Sequence, residues 1–182
     1  MLDMLLCFAN IAIVNDSSGT PYTRPVLTEN GANLVIKAGR HPIIEKLFAS
    51  KRFVANNVYL SQATNFAIIT GPNCSGKSTL LKMSALVTVL AHAGCYVPAQ
   101  HASVPVRDNL FTRIGTGDDF ESNTSTFLME MKEAAYIIGR VSSRSLVLID
   151  ELGRGTSETE GLVIAWSICE KLLGSQAFTR TT

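Results

Sequence analysis

The passage from Asn65 to Leu86 constrains this chain more than any other. An apolar run, Asn65-Phe66-Ala67-Ile68-Ile69-Thr70, leads into Gly71-Pro72-Asn73-Cys74-Ser75-Gly76-Lys77-Ser78 and then Thr79-Leu80-Leu81-Lys82-Met83-Ser84-Ala85-Leu86. The pattern predicts a strand, a glycine-punctuated turn and a helix start, the order found in a phosphate-binding P-loop. Backbone N–H groups of such a loop point inward around phosphate oxygens, and the helix N-terminus adds partial positive charge there. Lys77 then reaches the outer phosphates, and the Ser78 hydroxyl binds Mg²⁺. Two glycines, one lysine and one Ser or Thr at fixed offsets arise by chance in about one per cent or less of chains this long. Gly71, Pro72, Asn73, Cys74, Ser75, Gly76, Lys77, Ser78 and Thr79 are therefore the expected nucleotide-binding set. The competing reading is an ordinary turn between a strand and a helix.

Ser145-Leu146-Val147-Leu148-Ile149-Asp150-Glu151 reads as a second, cooperating site. A continuous apolar run is how a strand buried on both faces looks in sequence. Parallel α/β sheets place ligands beyond the carboxyl ends of their strands. In this Walker B pattern Asp150 holds Mg²⁺, directly or through water, and Glu151 orients or deprotonates the attacking water. Alone, the run is equally well a strand ending in charge at a surface. Downstream of the glycine loop, the functional reading dominates.

Residues Gly71 to Lys77 resemble the nucleotide loop of the MutS family of DNA mismatch-recognition proteins. Gly94-Cys95-Tyr96-Val97-Pro98-Ala99 is similar as well. So are Phe111-Thr112-Arg113-Ile114-Gly115 with Asp118-Asp119, Ser125-Thr126-Phe127 with Glu130-Met131, and Asp150-Glu151-Leu152-Gly153-Arg154-Gly155-Thr156. Gly39-Arg40-His41-Pro42 and Phe53-Val54-Ala55-Asn56 fit the start of the same region. The resemblance runs from about Gly39 to Leu173. Ser75-Gly76, with Met129 to Ile137, looks most like the branch of the fourth eukaryotic homologue, associated with meiotic crossing-over.

The resemblance implies an α/β fold, a P-loop NTPase of ABC-ATPase type with a mixed, mostly parallel sheet flanked by helices. It implies ATP and Mg²⁺ as cofactors, and hydrolysis of ATP to ADP and phosphate. Phe53 would stack on adenine, and Ser125 would cap the γ-phosphate held by a partner subunit. The loop around Gly153, Arg154 and Gly155 would communicate across that dimer. The partner would be another MutS homologue, the fifth eukaryotic one. Double-stranded or branched DNA would be engaged through domains absent from this chain, in the nucleus. The alternative is a non-hydrolysing fragment that binds nucleotide and pairs with a full-length homologue. An ABC transporter ATPase is disfavoured, because the chain lacks a Leu-Ser-Gly-Gly-Gln segment.

Residues 1–30 are expected to finish a lever helix and cross the turn-rich stretch Asn15 to Pro21, and residues 31–182 to form the ATPase domain. Relative to the family, that domain would stop before its last strands and dimerisation helices. Helices are expected from Ser78 to about His92, stopping at Gly94, and from about Glu160 to Leu173. A further helix, starting near Ser125 or Thr126, should bury Phe127, Met131, Ala134, Ala135 and Ile138 on one face.

A net charge of +1 gives no global basic footprint for nucleic acid. Cys7, Cys74, Cys95 and Cys169 lack paired metal spacing and fit a reducing compartment as free thiols. No apolar run is long enough to span a bilayer. His41, His92 and His101 have no metal spacing either, and Asp118-Asp119 reads as a charged turn.

Overall fold

Short apolar runs become strands, and the longer amphipathic stretches become helices. The structure, a computed structural model, describes residues 2–17, 19–29, 33–47, 53–114 and 126–182. Its elements in chain order are α1 (Leu2–Ser17), β1 (Val26–Thr28), β2 (Leu34–Gly39), α2 (Pro42–Leu47), β3 (Asn56–Leu60), β4 (Phe66–Ile68), α3 (Lys77–His92), β5 (His101–Pro105), β6 (Leu110–Arg113), α4 (Thr126–Arg140), β7 (Leu146–Ile149), α5 (Glu158–Gly174) and β8 (Phe178–Thr181). They gather into two units, Met1–Ser61 with Lys82–Val106, and Gln62–Leu81 with Arg107–Thr182.

The first unit carries a mixed sheet in the order β1-β5-β2-β3. β1 is parallel to β5, and β2 is antiparallel to both of its neighbours. Leu34 and Ile36, Val58 and Leu60, and Ala102 and Val104 are buried at every second position, as a two-residue side-chain period requires. Met83, Val87 and Ala91 of α3 are buried one turn apart. Gly39 ends β2 where space is shortest: a Cβ there would lie 2.7 Å from Ile36 Cγ2 and 2.8 Å from Met83 Sδ.

His41 has a role here that its sequence context did not reveal. Its Nδ1 accepts the Ile43 and Ile44 N–H groups, both at 3.3 Å, and its carbonyl accepts the Glu45 N–H at 2.9 Å. It therefore caps α2, with Pro42 at the first helical position, where no N–H is needed. At the far end of α3, Gly94 is left-handed (φ 81°) and the Cys95 N–H returns to the Leu90 carbonyl at 2.9 Å. That is the expected glycine stop.

The second unit is an all-parallel sheet in the order β4-β8-β7-β6. β7 is buried at all four positions, which explains its unbroken apolar sequence. Val147 and Ile149 pack with Phe111, Ala134, Ile137, Ile168, Leu172 and Ala177. Each large aliphatic side chain buried this way stabilises the fold by roughly 1.5–3 kcal/mol.

The α4 face and β8 depart from the sequence reading. The buried stripe of α4 is Glu130, Ala134 and Ile137, with Met131 and Ile138 partly buried, whereas Ala135 is exposed. Phe127 is partly buried too, so the face differs from the expected one in that Glu130 and Ile137 join it and Ala135 leaves it. The second departure is β8, to which the reading assigned no element. It lies between β4 and β7, although it comes last in the chain. Its Arg180 is only 8% exposed, and Nε and Nη1 meet no hydrogen-bond acceptor among the described residues.

α5 begins with a Ser-x-x-Glu box. Ser157 Oγ accepts the Glu160 N–H at 3.4 Å, and the helix starts two residues earlier than expected. All four cysteines are free thiols. No described helix is long and apolar enough to cross a membrane.

Candidate functional site

The candidate site lies at the carboxyl edge of the second unit's sheet. β4 and β7 are separated by β8 alone, and all three run parallel. Their register is level: Ile68 sits opposite Thr181, and Thr181 sits opposite Ile149. The level continues past the strand ends, since the Ile69 N–H donates to the Thr181 carbonyl at 2.8 Å and the Thr182 N–H to the Ile149 carbonyl at 3.1 Å. The glycine loop after β4 and the acidic tip after β7 thus leave the same edge, two strand spacings or roughly 10 Å apart.

The loop between β4 and α3 turns through two left-handed residues. Cys74 (φ 62°) and Gly76 (φ 95°) are left-handed, and residues 71 to 76 are exposed. Gly76 meets that conformation without strain, whereas Cys74 does not. The Leu80 N–H donates to the Gly76 carbonyl at 2.9 Å, which starts α3. The first N–H groups of a helix have no partner within it, and they concentrate positive potential there. Lys77 folds back, and its Nζ donates to the Gly71 carbonyl at 2.8 Å and the Pro72 carbonyl at 3.0 Å. Ser78 and Thr79 are half-buried in the first turn. A close approach explains Gly71, where a Cβ would lie 3.1 Å from Ser75 Oγ.

At the acidic tip Asp150 is buried, and the Thr182 hydroxyl donates to its Oδ1. The same Thr182 oxygen accepts the Glu151 N–H at 3.2 Å. Arg113, at the end of β6, holds Asp150 on both sides of its backbone. Its carbonyl accepts the Asp150 N–H at 2.7 Å, and its Nη1 donates to the Asp150 carbonyl at 3.0 Å. Glu151 is exposed and left-handed (φ 51°), and its Oε2 takes a 2.5 Å hydrogen bond from Arg154 Nη1. Carboxylate oxygens at the tip of β7 and the Lys77 ammonium in the loop after β4 therefore leave the same edge of one sheet.

The glycines beyond the tip permit close packing. A Cβ on Gly153 would lie 2.5 Å from the Gly161 carbonyl oxygen, and one on Gly155 would lie 2.8 Å from Phe127 Cα. Glu130 and Thr182, for which the sequence reading had no role, both contact this region. Glu130 is 1% exposed, and its Oε1 accepts the Gly153 N–H at 2.6 Å. Its position in the apolar stripe of α4, in phase with Ala134 and Ile137, was the available signal.

Not every expected residue belongs to the second unit's described residues. Phe53 is half-buried just before β3, in the first unit. Ser125, Gly115, Asp118 and Asp119 lie outside the described residues. His92 Nδ1 is 2.8 Å from the Thr88 carbonyl on its own helix, and His101 is exposed. Among the described residues no three His, Cys, Asp or Glu side chains group as a metal site would require.

The family profile for MutS domain V matches residues 67–181. MutS protein homolog 4 of Homo sapiens is 51% identical over 179 residues, covering 98% of this chain and 18% of that protein. The DNA mismatch repair protein MSH4 of Arabidopsis thaliana is 48% identical, covering 98% of this chain and 23% of that protein. The DNA mismatch repair protein MutS of Bacteroides thetaiotaomicron is also 51% identical, over 93% of this chain and 19% of that protein. The chain thus spans about a fifth of the length of the curated relatives it matches, and identity alone does not separate the eukaryotic from the bacterial branch. With the profile covering well over half of its residues, the chain belongs to the MutS family.

Proposed function

We propose that this chain is a P-loop ATPase domain of the ABC-ATPase type, binding Mg²⁺–ATP at the edge shared by β4 and β7. The level register of Ile68, Thr181 and Ile149 carries the reading. It sets a cationic loop and an acidic tip at one edge, about the span of a triphosphate and its metal.

In this reading the backbone N–H groups of the loop from Gly71 to Thr79, Pro72 excepted, surround the phosphates. Lys77 exchanges its bonds to the Gly71 and Pro72 carbonyls for phosphate oxygens. The donor chemistry of Ser78 and Asp150 fits Mg²⁺, which takes one or two protein oxygens and fills its remaining positions with phosphate and water. When bound, Mg²⁺ neutralises charge that develops on the phosphates. Glu151 orients or deprotonates the attacking water, and must leave Arg154 to do so. Phe53 stacks on the adenine, and Ser125 of one subunit caps the phosphate of another.

Family membership supports a proposal for the wider role. The chain would act within a MutS-like protein in the nucleus, pairing with another MutS homologue. Nucleotide-gated closure of that dimer would control a clamp on double-stranded or branched DNA in meiotic recombination or mismatch repair. Ser75-Gly76 and the segment Met129 to Ile137 support the meiotic branch. Exposed Leu162, Val163 and Trp166 on α5, and Leu2, Leu5, Leu6 and Ile13 on α1, supply apolar surface suited to neighbouring protein.

A second reading, nucleotide binding without turnover, draws on the tie between Glu151 and Arg154. Steady-state ATP hydrolysis and ATP affinity, measured with and without a second MutS-type subunit, separate the two. Hydrolysis predicts that Glu151→Ala lowers turnover about a hundredfold or more while affinity persists. Absence of turnover in the native chain under both conditions, with affinity intact, leaves the second reading.

A further inference from the structure

We propose that Glu130 and Arg113 form a clamp that sets the aim of Glu151, acting as positioning residues for the attacking water. The inference rests on the role given to Glu151 above, and the clamp itself rests on contacts within the second unit.

Glu130 lies one turn into α4 and is almost wholly buried. A carboxylate removed from water must be compensated by hydrogen bonds or opposite charge. It has both. Oε1 accepts the Gly153 N–H at 2.6 Å, and Oε2 lies 3.7 Å from Arg113 Nη2. Arg113 Nη1 hydrogen-bonds the Asp150 carbonyl at 3.0 Å, while its charge lies beside Glu130 and beside Glu133, 3.5 Å from Nε, as ion pairs, with Nε itself making no hydrogen bond among the described residues. A planar fork with fixed donors can hold such a set together, whereas an ammonium cannot.

The consequence is geometric. Arg113 fixes Asp150 through its N–H and its carbonyl, and Glu130 fixes Gly153 through its N–H. Only Glu151 and Leu152 lie between these two anchors. Glu151 there adopts φ 51°, a left-handed conformation unfavourable for a residue with a side chain. Strain of that kind persists where surrounding contacts over-determine it. The mutual approach of Gly153 and Gly161, and of Gly155 and Phe127, closes the loop from the other side. Buried Glu130 and half-buried Arg113 thus hold the backbone that carries the base without touching nucleotide themselves.

Three variants separate positioning from plain structural support, read by steady-state kinetics with Mg²⁺–ATP and by amide hydrogen exchange at Gly153. Glu130→Ala removes both contacts. It should lower kcat about tenfold with KM within twofold, and speed Gly153 exchange at least tenfold. Glu130→Gln keeps an acceptor for the Gly153 N–H, so exchange should stay within threefold of the native rate even if the alanine variant folds poorly. Arg113→Lys should lower kcat while leaving Gly153 exchange unchanged. The clamp is overturned if Glu130→Ala leaves Gly153 exchange at the native rate. It is equally overturned if loss of kcat comes with matching loss of protection throughout β6 and β7, the mark of general destabilisation. A native chain without turnover overturns the hydrolytic reading instead, and the Gly153 exchange rates then still decide whether the clamp exists.

Discussion

Arg180 is the most exposing test of the packing described above, because it places a cation in the interior of a parallel sheet. It sits on β8 opposite Ala67 on one side and Leu148 on the other, with Nε and Nη1 buried and without acceptors among the described residues. Burial lowers its pKa, but a guanidinium remains charged in a protein. Leaving one buried charge uncompensated costs roughly 3–5 kcal/mol, and replacing buried ions by apolar groups of similar volume gains about 1–4 kcal/mol. Arg180 retains slight exposure, so the middle of the second range applies, and Arg180→Leu should stabilise the second unit by about 2–3 kcal/mol. For a chain of this size, that corresponds to a rise of roughly 4–12 °C in melting temperature. Thermal and urea unfolding followed by far-ultraviolet circular dichroism measures it. Amide protection in β7 and β8 reports the second unit separately, because a chain with two units need not unfold in one step. Arg180→Lys, which keeps the charge, should show no comparable gain. If Arg180→Leu melts at or below the native temperature, the guanidinium is compensated and the burial argument fails.

Other expectations follow from single contacts. The folded pKa of His41 is lowered by burial and by Lys82, and neutral Nδ1 accepts two N–H groups. Its stabilising contribution is therefore complete above the ordinary value of 6.5 and is lost as pH falls through the lower folded value. Stability curves from pH 7 to 5 should fall more steeply for the native chain than for His41→Asn, which keeps a non-titrating cap. Gly155→Ala would press a Cβ against Phe127 Cα at 2.8 Å and should destabilise by about 1–3 kcal/mol in urea unfolding. Arg154→Ala removes a solvent-exposed ion pair with Glu151 and should change unfolding free energy by less than about 1 kcal/mol.

What the sequence disclosed depended on how local the signal was. The strand–loop–helix at Asn65 to Leu86 and the apolar run ending at Asp150 are written in consecutive residues, and both appear where the pattern put them. The glycine stop of α3 at Gly94 is local too, whereas the Ser157 cap of α5 went unread. β8 was invisible for the opposite reason. Phe178-Thr179-Arg180-Thr181 alternates and carries a charge, as a half-exposed strand would, yet its pairing with β4 and β7 buries all four residues. Only contacts distant in sequence reveal that. Glu130 was hidden similarly: a charged residue in an apolar stripe reads as a solvated interruption until a glycine N–H more than twenty positions away is seen to need it. The first unit's sheet is not written in any local run, because β1 and β5 find their partners across long stretches of chain.

The account depends most on the glycine loop and the acidic tip forming one nucleotide site. Isothermal titration of the folded chain with ATP, in Mg²⁺ and then in excess chelator, tests that directly, with Lys77→Ala alongside. The account predicts saturable binding that weakens on chelation and is largely lost in Lys77→Ala, while circular dichroism of the variant stays native. Equal affinity in the native and Lys77→Ala chains, or no binding by a demonstrably folded native chain, would contradict it.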